Sequence, residues 1–352
     1  GNCAALIMIL SAALMAIFLP LREPILLAFG ASANTLPYAS SYLFIYLMGT
    51  VFVQLTLGLN SFITAQGQSR VAMLSILIGA VINIVLDPIF IFALDMGVRG
   101  AALATVFAQC LSGTICAVRI ARTPILRFGK EDLAFDGPLS GSLLRLGLPV
   151  AVKNVIISIG GIILQSIVNG FGMAFIAGYT ATNKLYGLLE IAALSYGYAV
   201  TTYVGQNYGA GEYTRIRKGV NTALLLCLAT AFAIALVMIA FGRPITGLFL
   251  SADDPAVLAQ AADTAYRYLC VMAFALPALY LLYAYQSALQ GLGQTAIGLI
   301  VGTLELCLRV GFALVSGAIG WAEGLFAAEV SAWIGAAILL CIVYYRHIRR
   351  LP

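Results

Sequence analysis

The chain has 352 residues, of which 62% are hydrophobic and only 9% are charged, and its formal net charge is +5. Soluble globular domains carry about 25% charged residues, so this composition excludes a water-soluble core and predicts an all-α, polytopic membrane protein. The small positive charge resides in loops and predicts no nucleic-acid partner. A single histidine, His347, and scattered cysteines without a CxxC pair exclude histidine-based metal or triad chemistry, so we expect no enzyme.

Apolar runs bounded by charged residues, glycine or proline predict ten membrane helices. Several of these runs exceed 25 residues, which predicts tilted or bent helices. In chain order the predicted spans are 3–20, 37–65, 71–94, 99–121, 143–171, 174–207, 216–241, 262–289, 295–319 and 324–345.

The distribution of basic residues predicts the orientation of these helices. With the C-terminus in the cytoplasm and basic residues at span ends counted with the adjoining segment, the cytoplasmic segments hold 12 lysines and arginines and the outer segments hold 4, while 3 lie well inside spans. This excess agrees with the positive-inside rule. With ten spans, the first residue is also cytoplasmic.

Short motifs recur in the two halves of the chain at offsets of 220 to 226 residues. Parallel repeats of this kind are typical of transporters whose pathway lies between the halves. The matched pairs are Pro24-Ile25 with Pro244-Ile245, Gly67-Gln68 with Gly293-Gln294, and Gly100 with Gly324.

The repeats predict two pseudo-symmetric helical lobes. The N-lobe covers residues 1–122, a cytoplasmic linker covers 123–141, and the C-lobe covers 142–352. The second copy has six spans and the first has four, so we expect the intact protein to carry two further N-terminal helices, twelve in all. A natural ten-helix protein is the alternative.

Asp87 is the only charge in the predicted span 71–94, and it directly precedes Pro88. A charge inside a membrane costs several kcal/mol if it faces lipid, so such residues usually face the protein interior and carry function. Asn83 lies one helical turn earlier, and Thr105 on the next span reaches a similar depth. Alternatively, Asp87 only caps the break at Pro88, and Thr105 only bonds its own helix.

The predicted C-lobe spans carry further charges. Glu305 and Arg309 are spaced i, i+4, which predicts that they pair. Glu190 and Glu305 are predicted near the bilayer midplane, where either carboxylate could bind a cationic substrate or a proton. The alternative is a neutralised network of Glu305, Arg309 and Glu329 that only locks the helices.

Two lysines and a group of tyrosines complete the candidates for a substrate pathway. Lys184 is the base nearest to Glu190 in sequence, while Lys153 is predicted to extend towards the cytoplasmic interface. Tyr186 belongs to a series of tyrosines along the span 174–207, and aromatic faces attract organic cations. Packing is the alternative role of these rings.

Three stretches of the chain resemble the MATE (multidrug and toxic compound extrusion) family, and the resemblance covers essentially the whole sequence. They are Thr202-Tyr203-Val204-Gly205-Gln206-Asn207-Tyr208-Gly209-Ala210-Gly211, the segment Asn83-Ile84-Val85-Leu86-Asp87-Pro88 with the following Gly97-Val98-Arg99-Gly100, and Leu148-Pro149.

The resemblance implies two six-helix lobes around a V-shaped cavity, in a cation-driven antiporter that exports organic, often cationic, compounds. It implies that Asn83, Asp87 and Thr105 hold the coupling ion, Na⁺ or H⁺, with no covalent cofactor. An aspartate on the family's first helix, which also belongs to this site, has no counterpart in this chain. We expect a monomer in the plasma membrane, or in the inner membrane of a Gram-negative bacterium.

Other functions remain open at this point. A lipid-linked oligosaccharide flippase of the same superfamily has an anionic substrate and needs a basic cavity. Away from their ends, the predicted spans carry four acids, at Asp87, Glu190, Glu305 and Glu329, against three bases, which favours cations. An intramembrane enzyme lacks a suitable nucleophile or metal cluster, and a passive channel is disfavoured by the repeated lobes.

Overall fold

The computed structural model describes residues 1–126, 129, 136–251 and 254–351. Within these residues every regular element is a helix, which confirms the predicted all-α class. The helices are α1 Asn2–Ala28, α2 Leu36–Met48, α3 Thr50–Ala65, α4 Ser69–Pro88, a π-helical turn Ile89–Ala93, α5 Gly97–Arg122, a 3₁₀ turn Pro124–Leu126, α6 Gly137–Val168, α7 Met173–Gly209, α8 Tyr213–Gly247, α9 Pro255–Gly291, α10 Ile297–Ala318 and α11 Gly324–Ile348.

The chain is a multi-pass membrane protein. In the described residues, 8 helices are long and apolar enough to cross a bilayer, or 9 if α2 and α3 form one span. The predicted span 174–207 corresponds to α7, which is long but does not meet the same test of apolarity. The prediction of ten membrane helices therefore stays a prediction.

Two of the predicted spans have different courses in the structure. Helix α1 continues through Pro20 and Pro24 to Ala28 instead of ending at residue 20. Membrane helices tolerate internal prolines, so proline was a poor boundary signal here. The span predicted at 37–65 is divided at Gly49, where α2 and α3 meet at a bend of 50°.

The chain divides into two compact units, Gly1–Leu143 and Leu144–Pro352. In the first unit, α5 packs against α2, α3 and α4, and α1 packs against α2 and α3. Its buried apolar cluster is small and comprises Ile63, Ala72, Cys116 and Ile120. In a bilayer the outer faces of such helices contact lipid rather than a large protein core.

The second unit is built around α9, which packs against α7, α8 and α11, while α10 packs against α11. Stacked aromatic rings fill its interior. Tyr268 stacks on Tyr179 and also on Phe326, with 4.7 Å between the ring centroids in each pair. This core is much larger than that of the first unit.

The predicted linker at 123–141 is described only in part. Thr123 ends α5, the 3₁₀ turn follows, and α6 already begins at Gly137. Four charged residues of the predicted linker, Arg127, Lys130, Glu131 and Asp132, lie outside the described residues. The predicted lobe boundaries thus stay a prediction, close to the division between Leu143 and Leu144.

The glycines of the matched motifs have similar conformations in the two units. Gly67 and Gly293 both end a helix in the left-handed region, with φ of 75° and 77°. Gly100 lies in the first turn of α5 and Gly324 is the first residue of α11, and at both a Cβ atom would collide with residues that precede the helix. These glycines agree with the predicted repeat, which itself stays a prediction.

Candidate functional site

Asp87 lies at a break in its helix. Helix α4 ends at Pro88 and continues as the π-helical turn Ile89–Ala93, since proline has no N–H to donate to the α-helical ladder. One turn earlier, Asn83 Nδ2 donates a hydrogen bond to Asp87 Oδ1 at 3.3 Å. Both side chains are half-buried, and they lie on the same face of the helix, as their spacing of four residues predicts.

Tight packing fixes this break against the start of α5. A Cβ atom on Gly100 would lie 2.7 Å from both the carbonyl carbon and the carbonyl oxygen of Phe90. Only glycine therefore allows α5 to approach the π-helical turn so closely. The break that carries Asp87 is held by backbone packing as well as by Pro88.

A cavity of about 250 Å³ within the first unit is lined by Asn83 and Thr105. Asp87 is not among its lining residues. Thr105 Oγ1 donates to the carbonyl of Ala101 at 3.0 Å, which is the alternative role predicted for this threonine. Of the three residues predicted to hold the coupling ion, Asn83 and Asp87 therefore contact each other. Thr105 lines the same cavity as Asn83.

Other polar residues line this cavity and were missed by the sequence analysis. They are Thr56, Asn60, Gln109 and Ser112. Asn60 Nδ2 donates to the carbonyl of Ala72 at 2.8 Å, and Thr56 Oγ1 donates to the carbonyl of Gln109 at 2.8 Å. Both bonds join neighbouring helices. Neutral polar residues on apolar helices give little signal in sequence, because many of them bond only their own backbone.

The second unit contains a cavity of about 200 Å³ lined by most of its buried charges. Five helices contribute to this site, which we call the charged cavity. Its charged and aromatic lining residues are Lys153 on α6, Tyr186 and Glu190 on α7, Tyr283 on α9, Glu305 and Arg309 on α10, and Glu329 and Trp333 on α11.

The ion pairs in the charged cavity differ from those predicted. Arg309 Nη2 contacts Glu329 Oε2 at 2.8 Å, whereas no bond joins Arg309 to Glu305 among the described residues. Glu305 Oε1 instead lies 4.0 Å from Lys153 Nζ. The i, i+4 pairing was wrong because each long side chain of α10 extends to a neighbouring helix rather than along its own.

Lys153 does not extend to the interface, contrary to the prediction. Its side chain is only 4% exposed, and its ammonium group also donates to Gln286 Oε1 on α9. Gly298 and Gly302 make room for its alkyl chain, since a Cβ on Gly302 would lie 2.8 Å from Lys153 Cγ. Its polar partners lie on two other helices, the Gln286 amide on α9 and the Glu305 carboxylate on α10, and sequence spacing gives no sign of either.

Glu190 is bonded by a tyrosine and not by the lysine nearest to it in sequence. The hydroxyl group of Tyr283 donates a hydrogen bond to Glu190 Oε1, while Lys184 is exposed and does not line the cavity. Tyr186 stacks on Trp333 with 5.2 Å between the ring centroids. Lys184 is therefore the one candidate of the predicted substrate pathway that lies apart from the others.

The charged cavity has polar atoms left over. Glu305 Oε1 and Arg309 Nε are buried without a hydrogen-bond partner among the described residues. The cavity also holds three carboxylates, at Glu190, Glu305 and Glu329, but only two bases, at Lys153 and Arg309. Unpaired buried polar atoms are costly, so this arrangement favours an additional proton donor, a cation or water in the cavity.

The model of the family described as MatE matches residues 1–89 and 149–315, which is most of the chain. The chain belongs to the MatE family. Members of this family are transporters, and the suspected resemblance is confirmed. The matched residues include Asn83 and Asp87, and all charged residues of the second cavity except Glu329.

Individual relatives and solved structures agree with this assignment. The Multidrug export protein MepA of Staphylococcus haemolyticus is 27% identical over 256 residues, covering 72% of this chain and 56% of that protein. An FAD transporter of Shewanella oneidensis is 23% identical and covers 85% of this chain and 66% of the relative. The chain spans just over half the length of the first curated relatives it matches.

The fold is also that of a solved transporter. A MOP superfamily transporter from Pyrococcus furiosus superposes with a TM-score of 0.91 at 23% identity. The superposition covers 99% of this chain and 79% of that transporter. At this identity the likeness concerns the fold, so the substrate and the coupling ion must be argued from the residues of this chain.

Proposed function

We propose that this protein is a cation-coupled antiporter that exports organic, mainly cationic, compounds across the plasma membrane by alternating access. The contact between Asn83 and Asp87 at the helix break carries the proposal, because it places a carboxylate and an amide together inside a membrane helix. Intramembrane carboxylates of this kind mark ion pathways in transporters. Membership of the MatE family supports the class of activity.

In the first unit, Asp87 would carry the coupling ion. With Na⁺, the carboxylate of Asp87, the amide oxygen of Asn83 and the hydroxyl of Thr105 would supply oxygen ligands, which hard cations prefer. With H⁺, Asp87 would take up the proton, and the Asn83 amide would orient the carboxyl group. Asn60 and Gln109 line the cavity beside Asn83 and would solvate the ion on its way.

In the second unit, the charged cavity would bind a cationic group or a second proton. Its carboxylates outnumber its bases, and Glu305 Oε1 has no donor among the described residues. The stacked rings of Tyr186 and Trp333 would supply aromatic faces to an organic cation. Glu190, whose bond from Tyr283 is neutral, is the carboxylate most available to a positive charge.

A lipid-linked oligosaccharide flippase is the second candidate. A phosphate-bearing headgroup needs bases that are not already neutralised, but Arg309 is paired with Glu329 and Lys153 faces Glu305. The Shewanella relative named an FAD transporter suggests that substrates within this family vary, so the two candidates need a direct comparison. Two cell assays distinguish them. An antiporter should protect cells from ethidium-like dyes, whereas a flippase should rescue a cell-wall export defect.

The variant Asp87→Asn tests the proposed ion site. The change preserves size and leaves one oxygen that can accept from Asn83 but removes the charge, so dye export should be lost while membrane insertion stays normal. Asp95→Asn is the matched control, since Asp95 lies in the exposed turn just after the break. Asparagine tolerates the positive φ of 51° at that position. Full dye export by Asp87→Asn would refute the assignment.

A separate variant, Glu190→Gln, tests the charged cavity. We expect export of cationic dyes to fall while export of uncharged compounds is affected less. Normal export of every cationic dye by this variant would refute a role for Glu190 in the binding of cations.

A further inference from the structure

A second, larger groove lies on the outside of the second unit, away from the charged cavity. It runs between α7 and α8, has a volume of about 510 Å³, and is lined mainly by apolar groups. Its lining residues are Tyr196, Ala199, Val200, Tyr203, Lys218, Gly219, Val220, Thr222, Ala223 and Leu226. None of the charged-cavity residues contributes to it.

The polar atoms of the groove walls are already bonded within the protein. The hydroxyl group of Tyr203 donates a hydrogen bond to the carbonyl of Arg215 at 3.0 Å. The hydroxyl groups of Tyr196 and Thr230 form a hydrogen bond of 2.8 Å. Thr222 Oγ1 bonds the carbonyl of Lys218 at 3.0 Å. The groove therefore presents ring faces and methyl groups, which favour an apolar occupant.

Glycine shapes the groove near its mouth. A Cβ atom on Gly219 would collide with the ring of Tyr203, so only glycine allows this ring to lie so close to α8. Ala199, which is exposed, lines the groove one helical turn before Tyr203 on α7.

Lys218 is the single charged residue of the groove lining, and it lies near the start of α8. It is exposed and forms no ion pair with any residue that the structure describes. Arg215, also exposed, lies on the same turn. A basic mouth above an apolar channel repels cationic substrates and attracts anionic headgroups, so the groove differs in charge from the carboxylate-rich cavity.

The length of the groove fits one leaflet of a bilayer. At about 1.5 Å per residue, Tyr196 and Leu226 both lie about 20 Å from the turn that joins α7 and α8. The hydrocarbon core of a bilayer is about 30 Å thick, so the groove extends from the headgroup level to near the midplane. This length matches that of an acyl chain whose phosphate would lie at Lys218.

We propose that the α7–α8 groove is a binding site for an anionic phospholipid, with one acyl chain along Tyr203 and Ala199 and the phosphate at Lys218. The charge of the mouth, the apolar walls and the leaflet-length channel carry this proposal. It is independent of the transport mechanism proposed above, because no residue of the ion site or the charged cavity contributes to the groove.

Photocross-linking tests the proposal directly. The full chain is reconstituted in phosphatidylcholine nanodiscs that contain phosphatidylglycerol with a diazirine at the end of one acyl chain. After illumination, mass spectrometry should locate the label in the peptides around Ala199 and Leu226. Excess unlabelled phosphatidylglycerol should compete with the probe, and excess phosphatidylcholine should compete far less.

Two variants with matched controls test the two parts of the site. Lys218→Ala should lower labelling by phosphatidylglycerol about fivefold, whereas Arg349→Ala, at another exposed cation, should leave it unchanged. Ala199→Trp should fill the channel and abolish labelling, whereas Ala240→Trp, at an exposed position far along α8, should not.

Elution on size exclusion confirms that each variant is folded before it is compared. Equal labelling of the parent and both groove variants would overturn the proposal, as would label spread over all lipid-facing helices. Cross-linked dimers through α7 and α8, or protection by a cationic dye, would assign the groove to a second copy or to substrate instead and would equally overturn it.

Discussion

The guanidinium group of Arg309 is buried among membrane helices, and one carboxylate, that of Glu329, compensates its charge. Its side chain is 6% exposed and contacts Glu329 at 2.8 Å, with a further bond to the carbonyl of Ile157 at 3.3 Å. The cost of burying two charges nearly cancels their attraction, so the intact pair adds little net stability. Removal of one partner leaves the other charge buried and uncompensated.

We therefore predict that Arg309→Met lowers the free energy of unfolding by about 3–5 kcal/mol. The double variant Arg309→Met/Glu329→Leu should recover most of that loss, since neither charge of the pair is left buried without the other. Unfolding by denaturant in detergent micelles measures both. The control is Arg267→Met at the exposed pair with Glu323, where the change should be much smaller. A double variant no more stable than the single one would contradict this account.

At the scale of elements, the decisive feature is the contact between the helix break after Asp87 and the start of α5. Pro88 removes one hydrogen bond, the π-helical turn takes up the change, and Gly100 lets α5 pack on the carbonyl of Phe90. Because this contact joins two backbones, no rotation of a side chain can relieve a collision there.

Two alanine substitutions should therefore have opposite effects. Gly100→Ala should lower the free energy of unfolding by about 1–3 kcal/mol, because its Cβ would lie 2.7 Å from backbone atoms of Phe90. Gly187→Ala, in the middle of α7 with open space at its Cβ, should be neutral or stabilise by up to about 1 kcal/mol. Thermal unfolding of the two purified variants measures the difference. Equal midpoints would show that the close approach does not matter.

The helices and the Asn83–Asp87 contact could be predicted because they follow from local sequence. Long apolar runs fix the helices, and a spacing of four residues fixes the contact. The partners of Arg309 and Lys153 could not be predicted, because they lie on other helices. Which helix a long side chain reaches depends on how the helices pack. The bend at Gly49 was missed for a related reason: a Cβ there would contact Val106 on α5, which is distant in sequence.

At the scale of the whole molecule, the account depends on how the chain crosses the membrane. The excess of basic residues predicts a cytoplasmic C-terminus, a cytoplasmic α7–α8 turn and an outer α10–α11 turn. In a cysteine-free background, Ala210→Cys should react with a membrane-impermeant maleimide only after cells are opened. Ala322→Cys should react in intact cells. The reverse pattern would invert the predicted topology.

If Asp87 couples transport to an ion, an ion gradient across the membrane of proteoliposomes should drive the movement of a cationic dye. The uptake or release of a cationic dye is followed while the Na⁺ gradient and the pH gradient are imposed separately. We expect one of the two gradients to drive the parent protein, Asp95→Asn to behave like the parent, and Asp87→Asn to respond to neither gradient. Dye flux by the parent that depends on neither gradient, or a response of Asp87→Asn equal to that of the parent, would show that transport is not coupled to an ion through Asp87.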